Sequence, residues 1–139
     1  MSVIVTDDGF AADDWAQDFA PVDQLAANDD LPTQAIDLSS DADPTVVSDR
    51  IGAIELIRVD FPSFADGRGF TIARRLRSMG FQGRLRAKGH VIADQYAMAR
   101  RSGFDEVEID DDLARRQPEA QWLARANWRA YDYQSRLRA

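Results

Sequence analysis

The chain has 139 residues, close to the commonest domain size, so one ordinary hydrophobic core is expected and two independent domains are not. Its 45% apolar and 29% charged composition is that of a folding globular protein, and a net charge of -7 argues against a general nucleic-acid binder. Zero cysteines exclude disulfides, thiolate nucleophiles and thiolate metal sites, and the single histidine, His90, excludes a histidine-rich metal centre, so no metal site is assigned.

No apolar run approaches the roughly 20 residues that span a bilayer. The opening Met1-Ser-Val-Ile-Val-Thr-Asp-Asp lacks the basic start and apolar stretch of a secretory signal, which predicts a cytoplasmic protein with neither membrane nor nucleic-acid partners. Val3-Ile-Val5 is a short β-type run closed by Asp7-Asp8-Gly9. From Ala11 to Asp30 the chain is acidic, alanine-rich and weakly periodic, so residues 1–33 read as an acidic N-terminal arm with a helical turn or two. Trp15 and Phe19, four apart, share a face on such a turn and pin the arm to the core. Residues 34–139 read as one α/β domain.

Within that domain Ala35-Ile-Asp-Leu38 is a strand, and Asp43-Pro44 starts a short helix with Val47 and Ile51 on one face. Ile54-Glu-Leu-Ile-Arg-Val-Asp-Phe61 is the clearest strand and has apolar residues on both faces, which predicts a central position. Phe70 to Met79 carries Ile72, Ala73, Leu76 and Met79 at helical spacing before Gly80. Gly83 to Ala87 is a strand, Val91 to Ser102 a helix closed by Gly103, and Phe104 to Ile109 a strand. Strands alternating with helices predict a small parallel sheet of three to five strands with crossover helices. Its βαβαβ core fits a flat sheet or part of a β/α barrel. From Pro118 a C-terminal helix is expected, with Trp122, Ala126, Ala130, Tyr133 and Leu137 in line.

Ligands of parallel α/β sheets bind beyond the carboxyl ends of the strands, which selects two loops. The first, residues 60–69, holds Asp60, Ser63, Phe64, Asp66 and Arg68, with Gly67 and Gly69 permitting tight or left-handed backbone. The second, Lys88-Gly-His-Val91, enters the helix that bears Asp94 and Gln95. Gly67-Arg-Gly69 at a helix start presents backbone N–H groups and a guanidinium to an anion. The competing reading has Asp66 capping the helix, the glycines making the turn, and Arg68 paired with Asp60 or Asp94. Asp60, His90 and Asp94 are the candidate proton-handling groups. Asp110-Asp-Asp112 reads as a helix cap rather than a magnesium site.

The run Phe61-Pro-Ser-Phe-Ala-Asp-Gly-Arg-Gly-Phe70, followed by Ala73-Arg, Leu76-Arg, Gly80-Phe, Gly83, Leu85-Arg-Ala, Gly89, Asp94-Gln95 and Arg101-Ser-Gly-Phe-Asp105, resembles a bacterial family of unknown function, DUF934. The resemblance implies a gene beside those of assimilatory sulfite reduction, an association on which members are often labelled oxidoreductases. It thus implies an accessory protein of that pathway, near the sulfite reductase machinery, that binds a small anion or a protein partner at the 60–69 loop. Lys88 and Gln95 adjoin that loop. Two rivals stand beside this reading. One is a small cofactor-dependent oxidoreductase of the same pathway, whose cofactor the sequence does not name. The other is a homo-oligomeric interaction module joined through the aromatic C-terminal helix.

Overall fold

The computed structural model describes residues 2–15, 18–21 and 35–129. In chain order they form β1 (Ser2–Thr6), β2 (Gly9–Ala12), β3 (Ala20–Pro21), β4 (Ala35–Leu38), a 3-10 helix (Pro44–Arg50), β5 (Leu56–Phe61), α1 (Arg68–Ser78) and β6 (Arg84–Gly89). A 3-10 turn (Ala93–Gln95), α2 (Tyr96–Ser102), β7 (Glu106–Asp110), α3 (Asp111–Arg116) and α4 (Glu119–Leu123) complete the described chain. All strands join one open seven-stranded sheet in the order β2-β1-β7-β6-β5-β4-β3.

Strands β3 to β7 run parallel. The hairpin β1-β2 adds an antiparallel edge through β1 against β7. The architecture is therefore α/β as expected, with more strands than the three to five predicted. The excess comes mainly from the stretch read as an arm, where Thr6-Asp-Asp-Gly9 turns the chain back so that Val5 opposes Phe10. Trp15 and Phe19 do meet, with ring centroids 6.5 Å apart, but the described residues around them are extended rather than helical.

The four strands β4 to β7 step across the sheet in chain order, so their crossovers stack helices on one face. That face holds the core. Ile36, Leu38, Ile57, Val59, Phe61, Leu85, Ala87, Val107 and Ile109 project from alternate strand positions onto Val47, Phe70, Leu76, Tyr96 and Trp122. The helix ends follow local chemistry. Asp43 Oδ1 accepts from Thr45 N at 3.0 Å just before Pro44, although the turn it starts is 3-10 rather than α. Gly103, at φ 118°, stops α2 and lets Phe104 N reach Ala99 O at 3.0 Å. Asp110 Oδ1 accepts from Leu113 N at 2.7 Å, the capping role expected of the acidic triplet.

The C-terminal helix is shorter than predicted. It spans Glu119–Leu123, and the chain leaves the helix at Ala124. Trp122 is buried edge-on against Tyr96, with centroids 6.1 Å apart, and its indole donates to Gln117 O at 2.8 Å. Ala130, Tyr133 and Leu137 of the predicted stripe lie outside the described residues. Among the described residues no helix is long and apolar enough to cross a membrane.

The opposite face of the sheet is charged. Alternation that buries Leu85, Ala87, Val107 and Ile109 turns Arg84, Arg86, Glu106 and Glu108 the other way, and cross-strand register lines up Asp37, Arg58, Arg86 and Glu106 in one row. Arg86 is fully buried there, with Nε 2.7 Å from Glu106 and Nη1 2.8 Å from Glu108. Glu108 also accepts from Arg58 Nη1 at 3.2 Å, so one carboxylate separates two neighbouring guanidiniums. Asp37 holds the far side of Arg58 at 2.6 Å. Burial works against the Arg86 charge, but Glu106, Asp13 and Glu108 outweigh it and the guanidinium pKa is raised. From above, Asp13 lies 3.2 Å from Arg86, Asp14 2.8 Å from Arg84, and the Phe19 ring centroid 3.7 Å from the Arg58 guanidinium carbon. The described residues after β2 thus cross this face, from the β2 edge toward β3 at the other edge.

Candidate functional site

The carboxyl ends of β4, β5, β6 and β7 share one rim of the sheet, and the long loop after β5 dominates it. Phe61, the last residue of β5, is buried against Phe70 and Phe104 at centroid separations of 5.0 and 5.8 Å. A Cβ on Gly69 would fall 2.4 Å from the Phe61 ring, so glycine here lets the first turn of α1 close over that ring. The loop between is folded on itself. Ser63 Oγ accepts from Ala65 N at 3.1 Å and Ser63 O from Asp66 N at 3.0 Å. Asp66 then accepts from Arg68 N at 3.1 Å, from Arg68 Nε at 2.9 Å and from Nη2 at 2.7 Å. These bonds from Arg68 hold the Asp66 carboxyl well below the usual carboxylate range.

Two further ties fix the loop from outside. Arg68 Nη2 donates to Ser40 Oγ at 3.0 Å in the turn after β4. Gln95 accepts from Ile92 N through Oε1 at 3.1 Å and donates from Nε2 to Phe64 O at 2.6 Å, so the start of α2 clamps the loop tip. What remains on the surface is an aromatic ring and a cation: Phe64 is 59% exposed and the Arg68 side chain 61%.

The structure thus gathers Ser63, Phe64, Asp66, Arg68, Gly69 and Gln95 into one unit. Gly67 and Gly69 do not adopt left-handed backbone; the positive φ on this rim belongs to Gly89, and a Cβ on Gly67 would meet nothing within 4 Å. Arg68 pairs with Asp66 and Ser40 rather than with Asp60 or Asp94. Asp94 forms a short ion pair with Arg125. Asp60 is exposed on β5 in register with Lys88. His90 is exposed, and its backbone N–H donates to Phe61 O at 2.9 Å, closing β6 onto β5.

Another depression lies away from this loop. An open groove of about 830 Å³ runs along the amino ends of β5 to β7, beside Gly83, Arg84, Asp105 and Trp128. Two of its arginines are already engaged by backbone: Arg77 donates to Phe81 O, Gly83 O and Gly103 O, and Arg100 to Phe104 O. Next to it Asp7, in the β1-β2 turn, accepts from Tyr96 at 2.5 Å, Arg100 Nε at 3.2 Å and the Trp128 indole at 3.3 Å. Burial works to raise the Asp7 carboxyl, but bonds from Tyr96, Arg100 and Trp128 outweigh it and hold it below its ordinary value. A depressed carboxyl pKa gives stability that is present above the unfolded value and is lost as pH falls through the folded one. Asp7→Asn is therefore expected to cost about 1–2 kcal/mol at pH 7. The gap to wild type should narrow in melting curves taken below about pH 4, where the carboxylate protonates.

Sequence reasoning missed the charged face. The signal was available: Arg84-Leu-Arg-Ala-Lys88 and Glu106-Val-Glu-Ile-Asp110 alternate in phase, with opposite charge, on consecutive strands. It was not separable from two solvated strand faces until register placed Arg86 beside Glu106.

Residues 35–139 match the model of a family described as "Bacterial protein of unknown function (DUF934)". No curated protein and no solved structure matches the chain.

Proposed function

The chain belongs to the DUF934 family, and from that premise we propose that it is an accessory protein of assimilatory sulfite or sulfate reduction that docks a protein partner through the 60–69 loop. The observation that carries the reading is the exposure of Phe64 and Arg68 on a backbone fixed by Gln95, Asp66 and Ser40. Aromatic and arginine side chains supply most binding energy at protein interfaces, and a loop already held in its bound shape loses little entropy on docking. A partner suits this loop better than a free anion. The Nε–Nη2 edge of the Arg68 guanidinium already faces Asp66, so the pair offers little net charge to a small ion. An oxidoreductase that handles protons through Asp60, His90 and Asp94 needs those groups to converge, whereas Asp94 is held by Arg125.

The test is the affinity of the full chain for a sulfite reductase. Phe64→Ala is expected to weaken it about 30-fold, the equivalent of a central interface anchor. Arg68→Ala is expected to weaken it as well while shifting the melting temperature by only a few degrees, because its ion pair is exposed. Unchanged affinity in both variants overturns the reading. A collapse of the melting temperature in Arg68→Ala would make that residue structural instead.

A further inference from the structure

A second feature of the same rim is independent of Phe64 and Arg68. Between the carboxyl ends of β6 and β7 lies a cavity of about 120 Å³, lined among others by Ser2, Lys88, His90, Glu108, Asp110 and Arg116. Most of its polar groups have partners. Glu108 accepts from Arg58, Arg86 and Ser2; Asp110 caps α3 through Leu113 N; Arg116 pairs with Asp112 at 3.0 Å. Lys88 and the His90 imidazole are different. Among the described residues neither side chain has a hydrogen bond or ion pair.

Lys88 belongs to the charged face of β6, where Arg84 and Arg86, the other two cations of that strand, are both tied to carboxylates. Its register neighbours are Asp60 and Glu108, and neither bonds it. Glu108 lies between two guanidiniums and has little charge left to offer. The Lys88 side chain is partly exposed, so its ammonium meets solvent with no protein acceptor among the described residues and is free to take an anion.

We propose that this cavity binds a small inorganic oxyanion, of phosphate or sulfate size, with Lys88 as its charged donor and the His90 ring as a second donor at the mouth. Size sets the class. A volume of about 120 Å³ equals the space of about four waters, well short of the several hundred Å³ that a nucleotide or flavin occupies. The Lys88 ammonium sets the sign of the charge. The position, beyond the carboxyl ends of parallel strands, is where α/β sheets bind ligands.

The experiment is an NMR titration of the full chain with inorganic phosphate and, separately, sulfate, at ionic strength held constant with chloride. Saturable shifts are expected at the amides of Lys88 to Val91. Lys88→Met keeps the aliphatic stem packed and removes only the charge, and should weaken binding about tenfold or more. Phe64→Ala, which tests partner docking, should bind the anion as wild type does, so each proposal can fail without the other. No saturation by wild type, or equal affinity in a Lys88→Met protein whose spectrum shows it folded, overturns the site.

Discussion

Arg86→Ala is expected to destabilise the fold by about 2–3 kcal/mol, lowering the melting temperature by about 5–10 °C. Arg86 is fully buried between β5 and β7, and its removal leaves Glu106 and Glu108, with side chains 7% and 4% exposed, side by side on β7 without the guanidinium they share. Arg58 still bonds Glu108 and Arg84 still bonds Glu106, so each carboxylate keeps one guanidinium and loses its second. The cost is that of leaving two buried carboxylates one guanidinium short rather than of losing a contact, since an intact buried ion pair often contributes little net stability. A second variant separates the two. Adding Glu106→Gln to Arg86→Ala removes one of those carboxylates and should recover part of the loss. If Arg86→Ala alone costs less than about 1 kcal/mol in chemical denaturation, water reaches the ladder and the segment bearing Asp13 and Phe19 does not cover it.

Gly89→Ala is expected to cost about 2–5 kcal/mol, the sum of strain at a left-handed position and of overpacking. Gly89 has φ 118°, and a Cβ there would sit 2.6 Å from the Phe61 carbonyl oxygen, a backbone atom that cannot step aside as a flexible side chain can. That oxygen also accepts the His90 N–H at 2.9 Å, so the clash falls on the joint between β5 and β6 from which the 60–69 loop departs. Gly67→Ala is the control. Its φ is -88° and nothing lies within 4 Å of an added Cβ, so melting should be unchanged or slightly raised. Equal losses at the two positions would refute the assigned backbone geometry.

The strands from β4 to β7 and the helices between them were legible because their signals are local: period-two apolar residues in Leu56 to Phe61, helical spacing at Ile72, Ala73 and Leu76, and stop glycines. The N-terminal hairpin was half legible. Val3-Ile-Val5 and the Asp8-Gly9 turn signal it, but the returning strand Gly9-Phe-Ala-Ala is short and half exposed, so nothing in its pattern demands pairing. The candidate loop was found from its position and residue types. Its geometry was not, because Gly69 is required by the Phe61 ring, which only the tertiary fold brings near. The charged ladder was hidden for the same reason. Arg58, Arg86, Glu106 and Glu108 read as solvated residues until register and the crossing segment bury them.

The central claim, that residues 60–69 form a preorganised surface for a protein partner, is tested most directly by amide hydrogen exchange of the full chain with and without a sulfite reductase. The account predicts added protection confined to residues 60–69 and the adjoining Ser40 and Gln95 segments, with the amino-end groove unchanged. Protection at the groove beside Trp128 and Arg84 instead, or no change anywhere at concentrations where the two proteins co-purify, would contradict it.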